Sequence, residues 1–149
     1  MASIREKLQQ LEAIIGHQFH NADLGIASLC AAGALEAATT DGNKLLAMTG
    51  DNLLRLILVD EMSDRGFTRG QIQAVINRLS ANEYLGDLCR RIGVEALIIK
   101  NNSQRNDRPS LITVSAAIEA ILAAVWKDTG KDLGAVVNVI ARIGLWPEP

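Results

Sequence analysis

Ile112-Thr-Val-Ser-Ala-Ala-Ile-Glu-Ala-Ile-Leu-Ala-Ala-Val-Trp126 carries a single charge, Glu119, in fifteen residues. A run this apolar and this rich in alanine and leucine reads as a buried or nearly buried helix. An ionised carboxylate inside it is costly unless it is paired or holds a metal. A second acid has the same setting, Asp51 in Leu45-Leu-Ala-Met-Thr-Gly-Asp-Asn-Leu-Leu-Arg-Leu-Ile-Leu-Val59. Two acids in two strongly apolar helices suggest one shared site, and carboxylates on a rigid helical frame suit Mg²⁺ or Mn²⁺. Each acid taken alone also fits a helix rim facing solvent or an arginine. Gly50 adds a geometric argument. Glycine inside a helix costs about 1 kcal/mol relative to alanine, so one placed beside Asp51 implies close backbone packing that would bring a second carboxylate near.

Working outward, the whole chain reads as helices. Ile4, Leu8, Leu11 and Ile15 recur at spacings of three and four, with Ser3 as N-cap and Gly16 as the stop. Asn21 or Asp23 caps a second helix expected over residues 22–35, before the polar loop 39–43. The segment 44–65 is apolar around most of its circumference and is expected to be central. Thr68 caps a helix with Ile72, Val75, Ile76 and Leu79, residues 81–92 repeat that pattern, and 100–110 is a polar surface loop. After the Glu119 helix and a turn at Thr129-Gly130 comes a last helix with Leu133, Val136, Val137 and Ile140. The expectation is one all-α domain spanning residues 1–149.

The 149 residues are 48% hydrophobic but only 3% aromatic, which suits helix-on-helix packing and offers little for stacking unpaired bases. Charges interrupt every stretch that could approach a membrane span, and nothing resembles a signal peptide. Cys30 and Cys89 have no paired spacing, so free thiols in a reducing compartment are expected. These features point to an intracellular protein of the cytoplasm or nucleus, with an organelle as the other option. The net charge of −2 conceals an asymmetry. Residues 1–64 hold four Lys/Arg against nine Asp/Glu, whereas 65–108 hold eight (Arg65, Arg69, Arg78, Arg90, Arg91, Lys100, Arg105, Arg108) against four. An acidic pocket beside a basic stretch suits a phosphodiester with a bound cation, and ordinary solvated helix faces give the same count. His17 and His20 read as turn packing rather than ligands.

Several segments, in order, carry a resemblance to a known family. Leu46-Ala-Met-Thr-Gly-Asp-Asn-Leu-Leu54 resembles the ribonuclease III signature, Leu-Glu-Phe-Leu-Gly-Asp followed by an apolar helix. Leu11-Glu-Ala-Ile-Ile-Gly-His-Gln-Phe-His-Asn-Ala-Asp-Leu24 is similar to that family's opening Leu-Gly-Tyr-x-Phe-x-x-x-x-Leu. Residues 28–33 fall where it carries Ala-Leu-Thr-His-Arg-Ser, sharing only the leucine. The segment 80–93 looks like the surroundings of its Asn-x-x-Leu-Ala-x-x-Ala. Glu119-Ala-Ile-Leu-Ala-Ala-Val-Trp-Lys-Asp-Thr-Gly130 is close to its Glu-Ala-x-x-Gly-Ala-x-x-x-Asp-x-Gly.

The resemblance implies a helical endonuclease domain that forms a symmetric dimer and lays double-stranded RNA across the dimer groove. It also implies four carboxylates per subunit, divalent metal, and a metal-activated water attacking a phosphodiester. Asp51 and Glu119 match the family's catalytic and metal-binding acids, whereas Ala47 and Ala116 stand where it has the other two. Lys44 and Arg65 replace further acids. Two carboxylates bind Mg²⁺ or Mn²⁺ weakly. Cleavage is therefore expected to be weakened or lost, with Mg²⁺ or Mn²⁺ as cofactor only if activity survives. No separate double-stranded-RNA-binding domain is expected, and RNA contacts are expected from Lys44, Arg65, Arg69 and Arg78. Leu45, Met48 and Asn52 are expected at the dimer interface, Met48 standing where the family places an aromatic plug. The partner would be a second copy or an active family member. Two other readings stay open: an active double-strand-specific endonuclease using Asp51 and Glu119, and a structural ribonucleoprotein component such as the incomplete ribonuclease III folds of mitochondrial ribosomes. Structural pairing of the two acids with Lys44 or Arg55 is the plain alternative to chemistry.

Overall fold

A computed structural model of the protein describes residues 2–34, 36–37, 39–100 and 108–147. Among these, seven α-helices account for most of the chain: α1 (Ile4–Ile15), α2 (Ala22–Leu29), α3 (Lys44–Asp64), α4 (Arg69–Leu79), α5 (Asn82–Arg91), α6 (Leu111–Asp128) and α7 (Leu133–Ile143). A short 3₁₀ turn spans Glu95–Leu97. Capping residues define the boundaries. Ser3 Oγ accepts from the Glu6 N–H at 3.1 Å, and Gly16 ends α1 in the left-handed region at φ 71°. Asn21 caps α2 by accepting from the Asp23 N–H. Thr68 and Gln71 form a reciprocal capping box at α4.

The Glu119 helix, α6, is the axle of the fold. Ten of its eighteen residues are buried, and α2, α3, α5 and α7 all pack around it. No single stripe could serve so many neighbours, which is why its apolar run is nearly unbroken. Leu54, Leu58, Leu85, Leu88, Ile118 and Ile121 form the centre of the core. Among the described residues no helix is long and apolar enough to cross a membrane.

The second helix is shorter than its pattern suggests. It stops at Leu29 because the backbone turns extended at Cys30 and pairs with a distant segment. The Ile99 N–H donates to the Leu29 carbonyl and the Ala31 N–H to the Ile99 carbonyl, each at 2.8 Å. These bonds form one parallel bridge, Cys30 to Ile99, and they satisfy the groups that a longer helix would have used. Leu35, where that helix was expected to end, lies outside the described residues, as do Arg105 and the rest of 101–107. Asn43 ties the same corner down, its buried Nδ2 donating to the Ser28 carbonyl at 2.8 Å. The central helix ends at Asp64, with Arg65 as its cap. Cys30 and Cys89 are buried free thiols, pushed by burial up to about 11 and about 12, so neither is a nucleophile at neutral pH.

Candidate functional site

Helices α3 and α6 touch backbone to backbone at Gly50. A Cβ placed there would fall on the Glu119 carbonyl oxygen, so only glycine permits this approach. The contact sets Asp51 beside Glu119, the juxtaposition expected from the sequence. The two carboxyl groups share a hydrogen bond. Glu119 is raised from 4.5 to about 8, first by burial, then by the hydrogen bond and negative charge of Asp51; the Arg55 charge opposes the rise. Two interacting carboxyls cannot both ionise cheaply, and Glu119 holds the proton.

Arg55, one turn along α3, completes the cluster. Its Nε lies 3.1 Å from Asp51 Oδ2 and 3.3 Å from Oδ1. Of the two cations that could have neutralised the acids, Arg55 does so, and Lys44 makes no ion pair among the described residues. One turn before each acid stands an alanine: Ala47, buried on α3, and Ala116, half-buried on α6. No three His, Cys, Asp or Glu side chains gather at a metal-binding spacing among the described residues. A hard divalent cation needs several anionic oxygens. Here the described residues supply two carboxylates, and Arg55 is bonded to one of them. The side chains present do not fit a resident Mg²⁺ or Mn²⁺.

The remaining expected residues separate into two groups that the fold does not join. Lys44 opens α3 and Arg65 caps its far end, about 30 Å away along a 21-residue helix. Arg65 is tied to Glu61, its Nε 2.9 Å from Oε1. Arg69 and Arg78 lie exposed on α4 with no ion pair among the described residues. Elsewhere in the basic stretch, Arg90 and Arg108 both pair with Glu95, and Arg91 pairs with Asp87. Leu45, Met48 and Asn52 share the outward face of α3, and Leu56 and Val59 extend it. Those two escaped notice in the sequence, although their spacing of four and seven from Asn52 marks them.

Asp128 is the residue whose role the sequence reading missed. Its carboxylate accepts from the His20 N–H at 3.0 Å and the Asn21 N–H at 2.8 Å, and bonds His17 Nε2 at 2.8 Å. Burial pushes this carboxyl up, but the three donors together outweigh it and hold it below the usual carboxylate range. The His17 ring is thus turn packing, as expected, the exposed His20 takes part through its backbone N–H, and Asp128 is the staple joining the α1–α2 turn to the end of α6. Glu12 assists by accepting from the Phe19 N–H at 2.7 Å.

No protein-family model matches the chain. Among curated proteins it is similar to Ribonuclease 3 of Ruegeria pomeroyi, 27% identical over 141 residues, which cover 92% of this chain. The chain spans 61% of that relative's length. Among solved structures it superposes on the nuclease domain of ribonuclease III from Campylobacter jejuni with a TM-score of 0.80 at 18% identity, covering 95% of this chain and 97% of that one. A second structure of that nuclease domain, described for flexibility in the region involved in its dimer formation, gives 0.79 at 18% identity, covering 91% and 95%. The chain is a ribonuclease III-like domain, with that nuclease domain's all-helical fold.

Proposed function

We propose that this domain binds double-stranded RNA as a dimer and that its metal-dependent endonuclease chemistry is weakened or lost. The observation that supports this reading is the donor set between α3 and α6. Asp51 and Glu119 face one another with Ala47 and Ala116 in the flanking turns, and Arg55 neutralises Asp51. Two metals bridging an attacking and a leaving oxygen would have too few anionic ligands to stay in place. RNA affinity then comes from exposed cations, Arg69 and Arg78 on α4 foremost, with Lys44 and Arg65, and is modest and salt-dependent. The apolar outward face of α3, with Leu45, Met48 and Asn52, supplies the dimer contact, to a second copy or to an active family member.

The retained pairing of Asp51 with Glu119 favours a second reading, a divergent active endonuclease in which RNA phosphates complete the metal's ligands. Cleavage separates the two. Long double-stranded RNA is incubated with the protein in Mg²⁺ and then Mn²⁺, beside an Asp51→Asn, Glu119→Gln double variant. The expected result is RNA binding without cutting by either protein. Cutting into fragments with short 3′ overhangs by the wild type alone would establish the second reading. Where no cutting occurs, Ala47→Glu with Ala116→Asp restores the missing acids and is expected to restore activity.

A further inference from the structure

Lys44 occupies the least favourable position on α3 for a cation. It is the first helical residue, at the positive end of the helix dipole, and no acid in that turn relieves it. Asn43, the N-cap, spends its side chain on the Ser28 carbonyl and offers the helix no capping bond. Its backbone N–H donates to the Asp41 carbonyl at 3.2 Å, but among the described residues its ammonium makes neither an ion pair nor a hydrogen bond. A local rule broken without compensation inside the fold suggests a use outside it.

Lys44 also lines a cleft of about 280 Å³ between the beginnings of α3 and α6. Asn43, Ser110, Thr113 and Ala116 line it too, and among the described residues no carboxylate does. Ala116 contributes only a methyl, and the nearest α3 acid, Asp51, is engaged by Arg55. An acid-lined cleft can meet a phosphodiester only through a bridging cation, because carboxylate and phosphate repel. A cleft with an ammonium free of ion pairs repels that cation and attracts the phosphate itself, and beside it the Ser110 and Thr113 hydroxyls bond each other at 3.0 Å.

We infer that this cleft seats a backbone phosphate of the bound RNA directly on Lys44, with no metal ion between them. This inference rests on the proposed binding of double-stranded RNA and specifies how that binding differs from a metal-bridged one. Such a contact adds no sequence preference, and it makes affinity depend on monovalent salt while leaving it indifferent to chelators.

The test is fluorescence anisotropy with a short labelled RNA duplex, titrated with the protein in EDTA and in Mg²⁺. Equal affinity in both is expected. Lys44→Glu is expected to weaken binding about tenfold and to lower the slope of log affinity against log salt by about one. An acid at this position favours the start of α3, so that variant melts no lower than the wild type and its loss of binding is not unfolding. Ala116→Asp is expected to weaken binding in EDTA, with Mg²⁺ restoring it. Wild-type binding that vanishes in EDTA and returns with Mg²⁺, or Lys44→Glu binding with unchanged affinity and slope, overturns the inference and leaves the proposed function standing. Absence of duplex binding under every condition overturns both.

Discussion

A carboxyl that keeps its proton at neutral pH is a good hydrogen-bond donor, and Glu119 is such a group. Its folded value of about 8 lies above the ordinary 4.5, so between these two the folded chain binds more protons than the unfolded chain. The stabilisation is therefore complete below about pH 4.5 and drains away as the pH rises through about 8. Glu119→Gln keeps a donor for Asp51 and removes the titration. That variant is expected to match the wild type near pH 5 and to exceed it by about 1–3 kcal/mol near pH 9. Thermal melts across this range measure the difference, and parallel profiles for the two proteins would refute the shared-proton geometry. Asp128 carries the opposite sign. Its carboxyl is held low by His20, Asn21 and His17, so its stabilisation is present at neutral pH and fades only in acid. Of these two acids, Glu119 is the one that costs stability as the pH rises.

At the scale of elements, the crossing of α3 and α6 depends on one absent methyl. Alanine normally stabilises a helix relative to glycine by about 1 kcal/mol, but at Gly50 the new Cβ would collide with backbone that no rotamer can move. Gly50→Ala is therefore expected to cost more than about 2 kcal/mol. Gly70 provides an internal control: it lies in α4 with open space around it, and Gly70→Ala is expected to gain about 0.5–1 kcal/mol. Urea melts of the two variants should move in opposite directions, and equal shifts would mean the α3–α6 contact is looser than the backbone indicates. The same pair of elements marks what the sequence makes legible. Gly50 beside Asp51 and the solitary Glu119 announce their meeting because both are local violations, a breaker in a helix and a charge in an apolar run. The end of α2 carries no such mark, since it depends on hydrogen bonds between Leu29, Ala31 and the distant Ile99. Asp128 is similar: near the end of a helix it looks like any solvated acid until the turn at His20 folds onto it. The pairing of Arg55 with Asp51 was visible as an i, i+4 spacing, but only the fold shows that it, and not Lys44, takes the acid.

For the whole molecule, α3 is the element on which everything converges. Its inner face packs on α6, its rim carries Asp51 and Arg55, and its outer face leaves Leu45, Met48, Leu56 and Val59 exposed by 73%, 66%, 54% and 43%. Four large apolar side chains on one face at spacings of three, eight and three exceed the scattered exposure normal for a monomer. Asn52 lies in the middle of that stripe and donates to the Met48 carbonyl at 3.1 Å, so its polar group is partly satisfied before any partner arrives. A two-fold pairing of this face would bury the stripe against its own copy. Met48→Asp with Leu56→Asp places charge at the centre of that contact while touching no core residue. Sedimentation equilibrium is expected to show a wild-type dimer and a variant monomer, with helix content by circular dichroism unchanged. A wild type that stays monomeric at high micromolar concentration would point to the other proposed partner, an active family member. The stripe should then drive a mixed dimer that the same double substitution abolishes. A variant that dimerises as well as the wild type would remove α3 from the interface, and with it the idea that one helix holds both the contact between subunits and the Asp51–Glu119 pair.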